Sequence, residues 1–352
     1  MIRKVFAAVA VLVLVLGILG SFIAMGQSAA PRTVASNSLV FEMLPASDAV
    51  VVGDGKRFFT EASKLLAANQ KGLGELLAKL DEVQAKTGID LRKFETFAAG
   101  ASISSGEGHG HKVAPVVIAR GSVDSAQVIE AAKRTAEGKA TEESVNGKKM
   151  YVVAAKDVME LAKKHAPASA NQKNVQDKVS QHTMDDLAIA AIDAKTVVFG
   201  HASRVRQTLE AKSKVSDDLI AMLAKKPTGI ANFAAKVPGG LSMLIPMDND
   251  ELGAILNSVK AIYGAADAAN GQATISLTAV TEKANQAEEL KGTLEGLRDL
   301  GKSILGVAPG ADKKLYARLL GSVKLANAGN ELNLDLAIPQ SDIDAIVALI
   351  KK

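Results

Sequence analysis

Residues 187–211 read LAIAAIDAKTVVFGHASRVRQTLEA. Two short apolar runs, Leu187–Ile192 and Thr196–Gly200, flank the polar tripeptide Asp193-Ala194-Lys195. That order predicts two strands joined by a tight turn. A small polar step then leads into a helix over Ser203–Ala211. The same unit recurs near the C-terminus. There, Val323–Ala326 and Leu332–Ala337 pair around Gly329-Asn330, Ser341 supplies a cap, and Ile343, Ile346, Val347 and Ile350 form one helical face. Tyr151-Val-Val with Asp157–Leu161 is a third candidate copy. Strand, turn, strand, cap and amphipathic helix resemble duplicated β-α-β-β-α units at the level of topology, although identity between the copies is too low to establish duplication. The pattern predicts an α+β chain of two similar lobes of antiparallel sheet with packed amphipathic helices, behind an N-terminal hydrophobic segment. The expected divisions are 1–26 as signal peptide or anchor, 27–38 as linker, 39–215 as the first lobe and 216–352 as the second.

Outside these copies the pattern alternates in the same way. Asp48–Gly53, Phe94–Ser104, Ala114–Gly121, Gly229–Lys236 and Ala273–Val280 read as strands. Glu143–Val153 contains Asn146-Gly147, the dipeptide that supplies both positive-φ residues of a two-residue hairpin turn. Helices are expected over Lys56–Asn69, Gly72–Lys86, Asp157–His165, Asp217–Lys225, Ala287–Leu305 and Lys313–Leu320, and after Asp124, which can cap. Thr87-Gly88 closes the second of these, with Ile89 as the apolar contact after it. A further helix, capped by Asp248 or Asp250, is expected to carry Leu252, Ile255, Leu256, Val259 and Ile262 on one face. Ala166–Gln181 has little apolar periodicity and reads as an exposed loop.

The 21 residues VFAAVAVLVLVLGILGSFIAM (5–25) carry no charge and follow Arg3-Lys4. Two readings stand. A basic start, an apolar core and the small-residue site Ala24-Met25-Gly26 fit a secretory signal. The whole run of about 20 residues is also long enough to span a bilayer. Both place everything after residue 26 outside the cytoplasm. The chain has no Cys, which removes disulfides, thiolate metal sites, Cys nucleophiles and lipid attachment at Cys. Aromatic residues make up 3% of the chain and Trp is absent, which argues against sites that work by stacking on bases or sugars. The formal charge is +4 with signs interspersed, so no basic block marks a nucleic-acid surface.

Candidate chemistries are sparse. Gly296-Leu-Arg-Asp-Leu-Gly301-Lys302-Ser303 matches the phosphate-loop pattern letter for letter. Its context is wrong: a helical pattern precedes it, and Leu290, Leu294, Leu297 and Ile304 keep helical spacing straight through. Glu107, His109 and His111 in the Gly-rich stretch 104–112 are weak metal candidates, because two imidazoles at i, i+2 can share an ion. The acid pairs Glu142-Glu143, Asp185-Asp186, Asp217-Asp218 and Glu288-Glu289 are adjacent, so their carboxylates diverge rather than converge as a catalytic pair does. No catalytic motif and no cofactor site emerges. The expectation is an exported or membrane-anchored bacterial cell-envelope protein, in the periplasm or at the cell surface, with a non-enzymatic binding role. Its partners would be the membrane, through residues 5–25 if uncleaved, and an envelope protein or lipid. An extracytoplasmic carrier of a hydrophobic ligand such as a lipid is the alternative. A continuous apolar cavity would favour the carrier; a packed interior with a conspicuous surface patch would favour the interaction protein.

Overall fold

A computed structural model describes residues 38–62, 70–105, 111–165, 185–237, 250–269 and 271–350. The chain forms two compact units. Among the described residues, unit A comprises those within 38–56 and 77–217, and unit B those within 57–76 and 218–350. Both are α+β, with wholly antiparallel strand pairs.

In unit A, α1 (Ser38–Glu42) precedes β1 (Ala49–Asp54). A helical turn, Gly55–Arg57, continues as the π-helix Phe58–Ala62, and α2 (Gln70–Thr87) carries the chain back across the boundary at 76–77. Then follow β2 (Phe94–Ser105), β3 (His111–Gly121), α3 (Ser125–Thr135), β4 (Ala140–Val145), β5 (Lys148–Val153), α4 (Ala155–His165), β6 (Leu187–Asp193), β7 (Thr196–His201) and α5 (Ala202–Glu210). The strands lie in the order β1-β2-β3-β7-β6-β5-β4. Unit B contains α6 (Asp217–Ala224), β8 (Ala231–Lys236), α7 (Asp250–Asn257), β9 (Val259–Ala269), β10 (Gln272–Thr281), α8 (Ala284–Val307), α9 (Ala311–Ser322), β11 (Lys324–Ala328), β12 (Glu331–Pro339) and α10 (Gln340–Ile350). Its strand order is β8-β9-β10-β12-β11.

The two orders match. Without the hairpin β4-β5, unit A reads β1-β2-β3-β7-β6, which is the arrangement of unit B strand for strand. In each, a lone strand pairs with a first hairpin, and the second hairpin joins it through its later strand. The hairpin–helix unit quoted from residues 187–211 is β6-β7-α5. Copies occur at β2-β3-α3, β4-β5-α4, β9-β10-α8 and β11-β12, which ends in α10.

Local chemistry sets the turns and caps. Asn146 and Gly147 adopt φ of 51° and 76°, the left-handed pair that the β4-β5 turn demands. Asp193 organises the β6-β7 turn: its carboxylate accepts from the Lys195 N–H at 2.8 Å, the Thr196 hydroxyl at 2.9 Å and Arg120 at 2.8 Å. Asp124 caps α3 by accepting the Ala126 N–H at 2.9 Å. Gly88, at φ 78°, ends α2 with its N–H on Gln84 O.

Side-chain alternation divides unit A into two faces. Val116, Ile118, Val198, Ala188, Ala190 and Met150 are buried on one, along with Val205 and Leu209 of α5 and Val40 and Leu44 around α1. On the other, Val128 of α3 packs on Ala119 and Val197, joined by Ile89, Phe94, Phe97, Val123 and Ile189. In unit B, Leu290 and Leu294 of α8 and Leu256 of α7 pack on Ile262, Ala279 and Leu332. Phe58, Ile343, Ile346 and Leu319 pack on Ala268, Ala273 and Ile338 of the same sheet face.

Two expectations are corrected. Ser341 does not cap the last helix, because α10 starts at Gln340 and Ser341 lies in its first turn. The helix expected to carry Val259 and Ile262 stops at Asn257, and both residues lie on β9. Val259, Ala261, Ile262 and Tyr263 are all buried, so this strand is covered on both faces and shows no alternation. Val259 and Ile262 therefore met a helical period by coincidence. Lys56–Asn69 is helical as far as Ala62, partly as the π-turn, and its remainder lies outside the described residues. So do residues 5–25, 166–181 and 238–249.

Candidate interaction surface

The helix α8 has two apolar sides. Its first half buries Ala287 and Leu290 against the sheet. Its second half carries Leu297, Leu300, Ile304 and Val307, which recur three, four and three residues apart. That spacing aligns them as one ridge, roughly a quarter-turn from Leu290 and Leu294. Their exposures are 48%, 58%, 49% and 87%. Helix α9 covers the second half of the side that Leu290 and Leu294 begin: a Cβ on Gly301, which points between those two, would stand 3.0 Å from Leu320 Cδ1, and Arg298 donates to Val323 O at 3.4 Å. With the sheet and α9 on its other flanks, α8 leaves the ridge to solvent. Exposure peaks at Val307, where the chain turns through Ala308-Pro309-Gly310 into α9.

Charge is arranged around this turn. Residues 303–311, SILGVAPGA, carry none. Lys302 precedes them, and Asp312, Lys313 and Lys314 follow. Arg298 pairs with Asp299 at 2.9 Å, and that hydrogen bond holds the Asp299 carboxyl below its ordinary range.

A second apolar surface lies on unit A. Val113 and Phe199 are exposed by 52% and 43%, and Leu187 by 38%. Register places Phe199 directly between Val117 and Ile189, on the face where α3 packs on Ala119 and Val197.

The phosphate-pattern match lies inside α8, where backbone N–H groups are directed to carbonyls one turn back and none is free to cradle an anion. Of the metal candidates, Glu107 and His109 lie outside the described residues. His111 starts β3 opposite Ser105, and its side chain is not among those described. Among the described residues no three His, Asp or Glu side chains gather as a metal site.

The adjacent acids diverge. Glu142 pairs with Lys149 at 2.9 Å, whereas Glu143 binds Arg206 on the other face of β4. Asp186 accepts the first N–H of α4, from Ala155, at 2.9 Å. Asp185 meets His201 Nε2 at 2.8 Å. His201 caps α5, its Nδ1 accepting the Ser203 N–H at 3.3 Å, with the Ser203 hydroxyl at 2.8 Å. This Asp–His–Ser row is a helix-capping arrangement, because the serine sits two residues from the histidine and shares its capped nitrogen.

Two further polar groups escape sequence patterns. Arg204 is only 4% exposed and bonds Gln207 and Ser47 at 2.7 Å each, while its Nε has no partner among the described residues. Burial pushes its pKa down, against the pull of Asp48. In unit B, the Tyr263 hydroxyl donates to Glu331 at 3.0 Å beneath Lys225, whose Nζ stands 5.2 Å from the ring centre. Burial raises the Tyr263 pKa.

Among the described residues no helix is long and apolar enough to cross a membrane. The chain matches no protein-family model and no curated protein sequence. Among solved structures it is similar to TP0453. Crystal form I gives a TM-score of 0.42 at 8% identity, over 88% of this chain and 96% of that one. Crystal form III gives 0.41 at 9%, over 87% and 96%. Crystal form IV gives 0.40 at 8%, over 86% and 92%. Overlap at this level is too low to carry an argument from one chain to the other.

Proposed function

We propose that this chain is a non-enzymatic binding protein of the bacterial cell envelope, exported or anchored through residues 5–25, and that it works by presenting the α8 ridge. The ridge carries the reading. Four large aliphatic side chains aligned in solvent form a contiguous apolar surface, and such surfaces mark interaction sites. The uncharged N-terminal run behind Arg3-Lys4 supports the location. Protease treatment of intact spheroplasts tests it: a C-terminal tag on the full chain is expected to be digested from outside. Protection of the tag until the membrane is opened would refute the location.

The carrier reading draws on the second surface, at Val113, Leu187 and Phe199. An organic extract of the purified protein containing stoichiometric lipid would favour it over the first.

A further inference from the structure

We infer that the turn between α8 and α9 inserts tip-first into an anionic lipid surface, with Ile304 and Val307 entering the acyl boundary and Lys302, Lys313 and Lys314, set back from the tip, meeting the headgroups. This rests on the reading of the ridge as the working surface. Three observations select the occupant. Exposure along the ridge is greatest at its end, reaching 87% at Val307. Nine consecutive uncharged residues, 303–311, form the tip, with lysine on both sides and one acid, Asp312, among them. An apolar end with flanking cations is the arrangement that binds anionic bilayers by combining buried area with headgroup attraction. The third is area: the exposed parts of the four side chains amount to roughly 400 Å², about half of what one partner contributes to a standard protein interface. A second copy docked on the ridge alone would be undersized, whereas insertion into a bilayer has no such threshold, since its strength scales with the area buried. The full chain also brings the tip to a membrane whenever residues 5–25 remain attached, so the contact then forms within one tethered molecule.

The natural sequence has no Cys, so a single cysteine can be labelled uniquely. Full-length Val307→Cys carrying an environment-sensitive fluorophore is placed in phosphatidylcholine vesicles with and without about one-third phosphatidylglycerol. Ala328→Cys, on the exposed strand β11, is the control. At position 307 a blue shift and quenching by lipid-borne quenchers are expected in the anionic vesicles, with position 328 unchanged. Lys302→Ala and Lys314→Ala should each weaken the effect about fivefold. Ile304→Asp should abolish it without altering the circular dichroism spectrum. An aqueous signal at position 307 in both vesicle types overturns the inference. If labelled chains instead show concentration-dependent self-quenching at 307, the ridge is a working surface for a second copy and only the lipid assignment falls. If neither occurs, the reading of the ridge falls with it.

Discussion

The division of α8 into a core side and an open ridge can be tested by two truncations of the same residue type. Leu290 is 2% exposed and packs among Ile262, Ala279 and Leu332. Leu290→Ala removes buried methyl groups and leaves a cavity, which costs about 3 kcal/mol. Leu300 is 58% exposed, so less than half of its side chain leaves water on folding. Leu300→Ala should cost under about 1 kcal/mol, part of it returned by alanine's better helix propensity. Urea titration followed by tyrosine fluorescence suits the measurement, because Tyr263 and Tyr316 both lie in unit B. At a slope of about 2 kcal/mol/M, the midpoint of Leu290→Ala should fall by about 1.5 M, and that of Leu300→Ala by less than about 0.5 M. Equal losses would show that the ridge is covered in the folded protein. The interaction reading would then fail, along with the lipid inference built on it.

Three further outcomes follow from single residues. Gly147→Ala places a Cβ at φ 76° in the β4-β5 turn and should cost about 1–2 kcal/mol, read as a lowered midpoint of thermal unfolding; an unchanged midpoint would contradict the turn geometry. Burial opposes ionisation of Asp193, but hydrogen bonds from Lys195, Thr196 and Arg120 outweigh it and hold its pKa below the ordinary value. Its contribution to stability is therefore complete above the unfolded pKa of about 3.9 and is lost as pH falls through the folded value. Asp193→Asn should flatten the stability curve in that acidic window, and an unaltered acid limb would show that the carboxylate does not anchor the turn. Arg204→Met removes a buried cation whose Nε has no partner among the described residues, and stability should stay within about 1 kcal/mol of the natural protein or rise. A loss above about 2 kcal/mol would mean that its bonds to Ser47 and Gln207 outweigh the cost of burying the charge.

Local signals were legible wherever the physics was local. Asn146-Gly147, Asp124 and Gly88 act through the backbone within a few residues, so their turn, cap and helix end could be read directly. The repeat at 187–211 and 323–351 was visible for the same reason. The copies at β2-β3-α3 and β9-β10-α8 carry no such local mark. In the second, the small and doubly buried residues of β9 erase the alternation that marks a strand. The ridge was half legible: the spacing of Leu297 and Ile304 identified a helix and disposed of the phosphate-pattern match. What spacing cannot say is which side of a helix meets a sheet.

Sequence alone determined the α+β class, the hairpins, the Asp124 cap, the uncharged segment at 5–25 and the chemistries that the absence of Cys removes. These depend on composition and on contacts between near neighbours. Tertiary structure alone decided that the described residues within 57–76 group with those within 218–350, that both units share one strand order, and that Leu290 is core whereas Leu300 is surface. Those outcomes depend on which distant segments come together to exclude water. Burial is a property of the assembled neighbours, and no residue's type or spacing reports it.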